Sequence, residues 1–584
     1  MAIESQVQQV VHSIEHGSLA GIIRVLLAIV GVVALALAYL FIEFKGLSAA
    51  EGMDQAQIAR ELAAGHGFST KYLRPLAIQQ IQRETGRIPS GNFPDTYHAP
   101  LNPLIDALVL KINPKPLAMK INNDAPVFAG DRLIASVSVF FFVLSVAVTF
   151  VIGSMLFDRR VALIACGLVI VADQFWQFAL SGLPQMLMLF LFSCAALCLV
   201  VAIKAKARGN RPLLIFFPLG ICLGLMTLTH PGAFWLTAGT AVFCGIYFRP
   251  RVLLGLIPII ICLGMFSIWI IRDYQVAKAP FGVSPYAFLE KLPGPEGAWM
   301  RQGQPDLSAI NPLAIRKHAV DEVKNQFGSL YLLLGGVVVA PLFFVSLLHG
   351  FKRTETADFR WAILLLWVFA FAGSALLGVD GRTVDANQFH LLFGPLMALY
   401  GVAFVLVLWN RLNLQTRFLR TLFLGGLFVL TGFPALLGFS AGGIRINFPP
   451  YLPPFMQLFT SWTNPEEIIC SDMPWAVAWY ADRKALLLPA KIRDFDDYYD
   501  YQSLGGPIVG LYFTPISRDA PFASAIIAGE YKDWAALVLG GPQAVQSFPL
   551  RVPLGLAQNQ CFYLSDRIRW SQDAEKPADA QKGK

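Results

Sequence analysis

The chain has 584 residues, of which 55% are hydrophobic and only 14% are charged, and its mean hydropathy is +0.56. Soluble domains usually carry roughly a quarter of charged residues, so this composition excludes a soluble or disordered protein and indicates a polytopic membrane protein. The formal net charge of +8 does not indicate a nucleic-acid partner, because no basic helix or basic-aromatic stretch occurs and the Lys and Arg residues lie between apolar runs.

Long apolar runs predict membrane-spanning helices. Eleven such runs occur, at 19–44, 133–157, 161–178, 183–203, 213–228, 232–248, 252–271, 330–348, 361–377, 391–408 and 422–439. The first lacks a small-residue cleavage site and is too long for a signal-peptide core, so we expect a retained helix.

The loop charges predict the orientation. If residues 1–18 are a cytoplasmic tail, the inner connections hold most of the loop Lys and Arg residues and the short outer turns almost none. This is the positive-inside pattern. We therefore expect a multi-pass protein of the cytoplasmic (inner) membrane of a prokaryote, with its N-terminus inside.

Three parts of the chain are then predicted to lie outside. Two are the outer loops 45–132 and 272–329 of a transmembrane domain at 19–440, and the third follows a Pro-rich linker at 441–463. Short apolar runs alternating with helix-like stretches predict a periplasmic α/β domain at 464–570. The tail 571–584 is charged, poor in aromatic residues and predicted to be disordered.

Two of the eight cysteines, Cys470 and Cys561, fall on predicted strands of the outer domain. An oxidising compartment favours a disulfide between them, with two free structural thiols as the alternative. The other six lie inside apolar runs, where a small buried hydrophobic role is expected.

Acidic residues open the first outer loop. The absence of helix breakers after Gly52 and the pair Gly65 and Gly67 predict a short helix near the outer leaflet. On that helix Glu51 and Asp54 are three residues apart and share a face. Such a carboxylate can act as a general base. The alternative is an ordinary acidic cluster that complements the helix dipole.

Four further residues are candidates for a polar pocket at the outer face. Arg272, at the end of the seventh run, and Tyr274 suit a lipid-linked phosphate, or else form an interfacial anchor. His98 is a ligand candidate or a satisfied structural histidine. Asp173 falls inside the third run, where charge usually faces a cavity, with a shallow interfacial position as the alternative.

Several short motifs follow one another in an order that is typical of a known protein family. Arg132-Leu133 opens the second run, Leu228-Thr229-His230-Pro231 lies at an outer turn, and Trp269-Ile270-Ile271-Arg272-Asp273-Tyr274 ends the seventh. Over roughly residues 19–440 the chain resembles the GT-C superfamily of polyprenyl-phosphate-sugar-dependent glycosyltransferases. It is most similar to the bacterial dolichyl-phosphate-mannose-protein mannosyltransferase-like branch and also similar to the aminoarabinose lipid A transferases.

The resemblance implies a GT-C-like helical membrane fold with about eleven spans, and inverting transfer of a sugar to an extracytoplasmic protein, lipid or glycan. The implied partners are a polyprenyl-phosphate sugar as co-substrate, membrane lipid and an unidentified acceptor, without nucleic acid. The implied general base is Asp54 or Glu51. The remaining expected site residues are Arg272, Arg132 and Arg60 at the donor phosphate, and His98, Asp173, Tyr274 and His230 in the pocket.

The sequence departs from the family pattern twice. The family often has Asp-Glu where this chain has Glu51-Gly52, so both Glu51 and Asp54 stay candidates. Relatives often carry an aspartate at the position of Gln185, and oligosaccharyltransferase-like members use acidic residues there for a divalent metal. Its absence argues against metal dependence. A flippase for lipid-linked sugars and a non-catalytic assembly subunit are the alternative functions.

Overall fold

The structure is a computed structural model. It describes residues 18–89, 91–119, 127–290, 299–305, 308, 310–379, 384–412, 417–440, 453–500, 504–514, 527, 531–545, 548–554 and 562–570. The predicted tails, the Pro-rich stretch 441–452 and Cys561 lie outside the described residues, so the predicted disulfide stays a prediction. Its other partner, Cys470, is fully buried on a strand and has a free thiol in the structure, which does not support the disulfide.

Helices dominate the part of the chain before the Pro-rich stretch. In chain order they are α1 Ser18–Ala38, α2 Ala50–Ala63, α3 Pro75–Thr85, α4 Leu101–Ile112, α5 Lys115–Ala118, α6 Ala129–Leu156, α7 Arg159–Val171, α8 Asp173–Ala179, α9 Gln185–Ala207, α10 Phe216–Thr229, α11 Phe234–Tyr247, α12 Arg251–Ala277, α13 Ala287–Glu290, α14 Pro312–Gly328, α15 Leu330–Leu333, α16 Leu342–Ser346, α17 Thr354–Leu377, α18 Gly394–Arg411 and α19 Arg417–Ser440. A π-helical turn, Tyr39–Glu43, extends α1.

Within the described residues, seven helices are long and apolar enough to cross a membrane, and an eighth span results if α7 and α8, bent by 61°, form one. The seven segments are Leu26–Glu43, Ala129–Leu156, Gln185–Ala207, Arg251–Ala277, Thr354–Leu377, His390–Arg411 and Phe418–Phe439. The predicted number of eleven is therefore too high by this measure, although the polytopic helical fold is confirmed.

The three remaining apolar runs form shorter helices. Helices α10 and α11 have 14 residues each, fewer than the roughly 20 that a bilayer core requires. The run at 330–348 breaks between α15 and α16, where Gly335 and Gly336 adopt φ of +86° and +69° and Pro341 follows. A left-handed glycine pair cannot continue a helix, so hydropathy alone overestimated this span.

The described residues also form two β-sheets. Their strands are β1 Ser69–Thr70, β2 Tyr72–Leu73, β3 Phe93–Pro94, β4 Ile468–Ser471, β5 Lys484–Leu487, β6 Ile508–Phe513, β7 Val552–Leu554 and β8 Phe562–Ser565. Strands β1 and β3 pair with each other, and the other six have the order β2-β5-β4-β6-β8-β7. The pairs among β2, β5, β4 and β6 are parallel and those involving β8 are antiparallel.

The six-stranded sheet joins two parts of the chain that are far apart in sequence. Strand β2 comes from the first outer loop, and the remaining strands come from the region predicted as a periplasmic α/β domain. Helices α20 Pro453–Trp462, α21 Pro474–Ala476, α22 Ile492–Asp500 and α23 Ala535–Gly540 accompany these strands. The C-terminal α/β region is thus confirmed as a fold element, and its sheet includes a strand of the first outer loop.

A buried carboxylate ties this region to the membrane helices. Asp131, in the first turn of α6, is fully buried and accepts hydrogen bonds from Trp479 Nε1 at 2.6 Å and the Tyr480 hydroxyl at 2.8 Å. Both aromatic residues belong to a π-helical turn, Val477–Ala481. Arg60 of α2 donates to two carbonyl oxygens of the same turn, those of Ala478 and Trp479. The turn therefore holds α2 and α6 in fixed relation.

Candidate active site

Helix α2 carries Glu51 in its first turn. The chain enters the helix from Ala49, which is extended and whose N–H bonds the Ser181 carbonyl at 3.4 Å. The predicted stop is present, because Gly65 and Gly67 after the helix adopt φ of +85° and +74°. A carboxylate at a helix N-terminus is favoured by the exposed N–H groups and the helix dipole.

Gly52 lies against another part of the backbone. A Cβ at this position would be 2.5 Å from the Ser181 carbonyl oxygen and 2.9 Å from Cα of Gly182. Gly182 itself has φ +83°. The α8–α9 loop therefore leaves no room for a side chain at position 52. The close approach places the first turn of α2 beside this loop.

A cavity of about 780 Å³ lies beside that first turn. Pockets of this size are typical of sites for small organic groups. Its described wall includes aromatic rings from several elements: Tyr97, Phe234, Trp235, Phe266, Trp269 and Phe281. Its acidic and histidine lining residues in the described ranges are Glu51, His98, His230, Asp273 and Asp385. Glu51 thus stands at an apolar and aromatic pocket.

Asp54 has a different environment from Glu51. It is 2% exposed and does not belong to the described cavity wall. Its carboxylate pairs with Arg74, accepts from Gln57 Nε2 at 3.2 Å and lies 2.7 Å from His98 Nε2. Burial favours the neutral acid, yet Arg74 and His98 lower the pKa of Asp54 to about 2. A carboxylate held this way is a poor proton acceptor.

His98 joins the buried cluster to the cavity. Its Nε2 faces Asp54, its backbone N–H donates to Asp95 Oδ2 at 2.8 Å, and the residue also lines the cavity. Burial opposes the imidazolium form, but the Asp54 carboxylate raises the pKa of His98 above its usual value. Arg74 bridges Asp54 and Asp95, and both partners are buried. The cluster therefore fixes the loop that presents His98.

The three arginines expected at the donor phosphate are bonded to protein groups. Arg272 donates to the carbonyls of Phe68 and Asp95 and pairs with Asp273 at 2.7 Å. Arg132 Nε donates to the Leu40 carbonyl at 3.1 Å.

Arg60 pairs with Asp482 at 2.7 Å, in addition to its bonds to the π-helical turn. None of the three arginines belongs to the described cavity wall, but Asp273, the partner of Arg272, does.

The other expected pocket residues are divided between the cavity and other places. His230 lines the cavity, and burial lowers its pKa to about 4, although Asp385 acts in the opposite direction. Asp173 is not in the described wall and bonds the Tyr39 hydroxyl at 3.2 Å and Gln177 Nε2 at 2.7 Å. Tyr274, on α12, is 54% exposed and does not belong to the described cavity wall. The structure thus brings Glu51, His98 and His230 together.

Gln185 begins α9. It is 1% exposed, and its Nε2 donates to the carbonyls of Asp385 and Ala386, the first at 3.3 Å. A neutral amide bound in this way does not supply a carboxylate ligand. Within the described ranges no three His, Cys, Asp or Glu side chains are grouped as a metal site.

Sequence reasoning missed several lining residues. Asp273 was part of a quoted motif but not a candidate, and Asp385 and Gln55 were not considered. Gln55 had a usable signal, because it follows Glu51 by four residues and must share its helix face. Asp385 had none, since it lies 200 residues beyond Gln185 and only the fold brings the two together.

No protein-family profile matches the sequence, and no curated protein sequence is a significant match. The fold, however, is similar to those of a solved oligosaccharyltransferase and of ArnT, which confirms the fold that the resemblance implied.

Two solved structures illustrate the match. ArnT from Cupriavidus metallidurans, bound to undecaprenyl phosphate, aligns over 92% of this chain and 98% of its own, with a TM-score of 0.54 and 12% identity. The oligosaccharyltransferase AglB from Archaeoglobus fulgidus, in complex with an inhibitory peptide and a dolichol-phosphate, aligns over 94% of this chain and 74% of its own, with a TM-score of 0.53 and 11% identity.

Proposed function

We propose that this chain is a membrane glycosyltransferase that transfers a sugar from a polyprenyl-phosphate donor to an extracytoplasmic acceptor. The observation that carries the proposal is Glu51, a carboxylate on the wall of a cavity of about 780 Å³ in a GT-C fold. Two solved relatives in fold hold a polyprenyl phosphate, undecaprenyl phosphate in ArnT and a dolichol-phosphate in AglB. We place the cavity at the outer face of a prokaryotic inner membrane.

Glu51 is the proposed general base. It would accept the proton of the acceptor nucleophile while that atom bonds to the anomeric carbon from the side opposite the phosphate. The bond between this carbon and the phosphate oxygen breaks, and the polyprenyl phosphate leaves with the electron pair. Attack from the opposite side inverts the anomeric configuration. Glu51 then releases its proton to water.

The assignment of Glu51 rather than Asp54 follows from access and proton affinity. A general base must come within hydrogen-bond reach of the proton that it accepts. Glu51 lines the cavity, whereas Asp54 is enclosed by Arg74, His98 and Gln57 and has a pKa of about 2. We assign Asp54 a positioning role, since it anchors the loop that presents His98.

The aromatic wall supports a sugar as the transferred group. Aromatic rings offer flat apolar faces against which the C–H faces of a sugar ring can pack, and their size makes a large contribution to the binding of a desolvated ligand. Tyr97 lies in the loop before α4, Trp235 on α11 and Trp269 on α12, and all three line the same cavity. The wall therefore offers room for the sugar beside Glu51.

Arg272 is the proposed phosphate-binding residue. It adjoins Asp273 of the cavity wall and is 21% exposed at its side chain, so it can exchange a carbonyl contact for a phosphate oxygen. A guanidinium is always charged and matches phosphate oxygens in pairs. Arg132 and Arg60 bond carbonyls of other parts of the fold, which supports a structural role for both.

The test uses Glu51→Gln in the full chain, which keeps the shape of the side chain and removes its basicity. A strain that lacks the protein is complemented with the wild type, Glu51→Gln or the control Glu84→Gln, an exposed outer carboxylate of α3. Envelope glycans and glycoproteins are then compared by mass spectrometry.

We expect one sugar modification to be lost in the deletion strain, restored by the wild type and Glu84→Gln, and absent with Glu51→Gln at equal protein level. Full restoration by Glu51→Gln would exclude Glu51 as the base and favour a non-catalytic subunit. Accumulation of a lipid-linked sugar without loss of a specific linkage would favour a flippase.

A further inference from the structure

Gln55 stands next to Glu51 in the cavity. The two residues are four positions apart on α2, which places their side chains on the same helix face. Both line the cavity, and Gln55 is 5% exposed. A side-chain amide thus accompanies the carboxylate that we propose as the general base.

The orientation of this amide is set by a second helix. Asn102 Nδ2, on α4, donates to Gln55 Oε1 at 2.8 Å and to Asp106 Oδ2 at 3.3 Å. Asn102 and Asp106 are 7% and 3% exposed and lie one helical turn apart. Because an amide nitrogen has two N–H donors, Asn102 uses one for each acceptor. Gln55 therefore presents its oxygen to Asn102 and its N–H donors elsewhere.

Gln55 Nε2 is the last polar atom in the row of hydrogen-bonded side chains that begins at Asp106 and continues through Asn102. Among the residues that the structure describes, no group accepts from Gln55 Nε2, and this atom is not one of the buried polar atoms without a partner. Since Gln55 lines the cavity, its donors have the cavity as their available space. The result is an N–H donor one turn away from a carboxylate acceptor.

We propose that Gln55 is a substrate-binding residue that donates a hydrogen bond to the nucleophilic oxygen of the acceptor, with Asn102 and Asp106 as its positioning residues. This proposal rests on the proposed function. A hydroxyl group can satisfy both cavity residues at once, because its proton goes to Glu51 while a lone pair on the same oxygen accepts from Gln55 Nε2. An ammonium group has no lone pair for Gln55. The pair therefore selects a hydroxyl acceptor.

The proposed contact also contributes to the reaction geometry. Two hydrogen bonds from neighbouring turns of one helix fix the direction of the oxygen that attacks the anomeric carbon. Correct orientation of a nucleophile can supply a large share of a rate enhancement. When the proton moves to Glu51, the oxygen keeps one lone pair for Gln55 and uses another for the new bond to carbon.

The experiment measures transfer kinetics with the full chain in membranes. The acceptor is the unmodified molecule that accumulates in the deletion strain, purified from that strain. Gln55→Glu keeps the length of the side chain and replaces the donor by an acceptor, and Gln82→Glu makes the same change at an exposed position of α3 as a control. We expect kcat/KM for the acceptor to fall at least tenfold for Gln55→Glu and to change less than twofold for Gln82→Glu.

The positioning residues are tested by one conservative substitution and one that removes the side-chain amide. Asp106→Asn keeps an oxygen that accepts from Asn102 and should leave kcat/KM within about threefold of the wild type. Asn102→Ala removes the bond to Gln55 and should raise KM for the acceptor at least fivefold. A purely structural role would instead lower the melting temperature in detergent and leave KM unchanged.

Two results separate this proposal from the function on which it rests. If Glu51→Gln is inactive and Gln55→Glu retains wild-type kcat/KM, the Gln55 proposal is overturned and the enzyme assignment stands. If Glu51→Gln is fully active in the transfer assay, Glu51 is not the base, and the Gln55 proposal loses the partner on which it rests. Should Gln55→Glu prove unfolded, Gln55→Met decides, because it fills the same space without a donor. Wild-type kinetics for Gln55→Met would equally overturn the proposal.

Discussion

Gly52→Ala tests whether the close packing of α2 against the α8–α9 loop positions Glu51. The added Cβ would lie 2.5 Å from the Ser181 carbonyl oxygen and 2.9 Å from Cα and the carbonyl carbon of Gly182. Carbon and carbonyl oxygen normally approach no closer than about 3.3 Å. The helix and the loop must therefore separate by several tenths of an ångström, and both contact surfaces are backbone.

The expected magnitude is a balance of two opposing terms. Alanine in place of glycine favours the helix by about 1 kcal/mol. Forcing an extra methyl into a packed contact costs about 1–3 kcal/mol, and the upper half of that range applies to Gly52 because backbone cannot rotate aside. The net effect should be a destabilisation of about 1–2 kcal/mol. Displacement of Glu51 should also lower sugar transfer, since a shift of about 1 Å can reduce a rate by up to a hundredfold.

The assay combines the melting temperature in detergent with the rate of sugar transfer in membranes. Gly264→Ala on α12 is the matched control, because nothing lies within 4 Å of its added Cβ. We expect Gly264→Ala to melt at or above the wild-type temperature with unchanged transfer. The packing argument is refuted if Gly52→Ala melts no lower than the wild type and transfers sugar at the same rate.

Three further predictions concern stability and the disulfide. Burial raises the pKa of Asp106 to about 8, so the folded state retains a proton that the unfolded chain releases near pH 4. The free energy of unfolding should therefore fall by up to about 1.4 kcal/mol per pH unit as the pH rises from about 5 to 8. Melting curves of Asp106→Asn should vary less over this range, and an equal slope would contradict the assignment. Asp54→Ala leaves Arg74 buried with one partner fewer, and it should cost about 3 kcal/mol, seen as a large fall in melting temperature; wild-type melting would exclude the buried pair as a structural anchor. Non-reducing peptide mapping distinguishes the disulfide between Cys470 and Cys561 that the sequence predicts from the free Cys470 thiol of the structure; a linked peptide would confirm the disulfide, and two free thiols would remove it.

The sequence predicted the class of fold because its signals are local and redundant. Apolar runs, loop charges and the order of short motifs all indicated a GT-C-like membrane protein. Each of these three signals remains recognisable when one helix or one motif is misread. The number of membrane spans was harder to predict from hydropathy than the class of fold. Hydropathy does not distinguish a continuous helix from a run such as 330–348, which Gly335 and Gly336 interrupt.

The candidate base shows where sequence reasoning reaches its limit. The spacing of Glu51 and Asp54 placed both on one short helix but could not separate them. Their difference comes from Arg74 and His98, which lie 20 and 44 residues beyond Asp54 and enclose only that carboxylate. Such contacts depend on the path of the loop between α2 and α4, which no local pattern encodes.

Arg272 presents the same limit in another form. Its place at the end of a span predicted a phosphate-binding residue or an interfacial anchor, but could not show that its guanidinium bonds the carbonyls of Phe68 and Asp95. Backbone carbonyls carry no sequence signature. The two-residue strand β2, which enters the C-terminal sheet beside β5, is equally hidden, because two residues are too few to show alternation.

The most direct test of the account is the position of a lipid phosphate in the protein. The full chain in lipid nanodiscs with undecaprenyl phosphate should show, by electron cryomicroscopy, phosphate density inside the cavity that Glu51, His98 and Asp273 line, with the isoprenoid tail leading into the bilayer. Density confined to the outer surface of the helices, with the cavity filled by water alone, would contradict it.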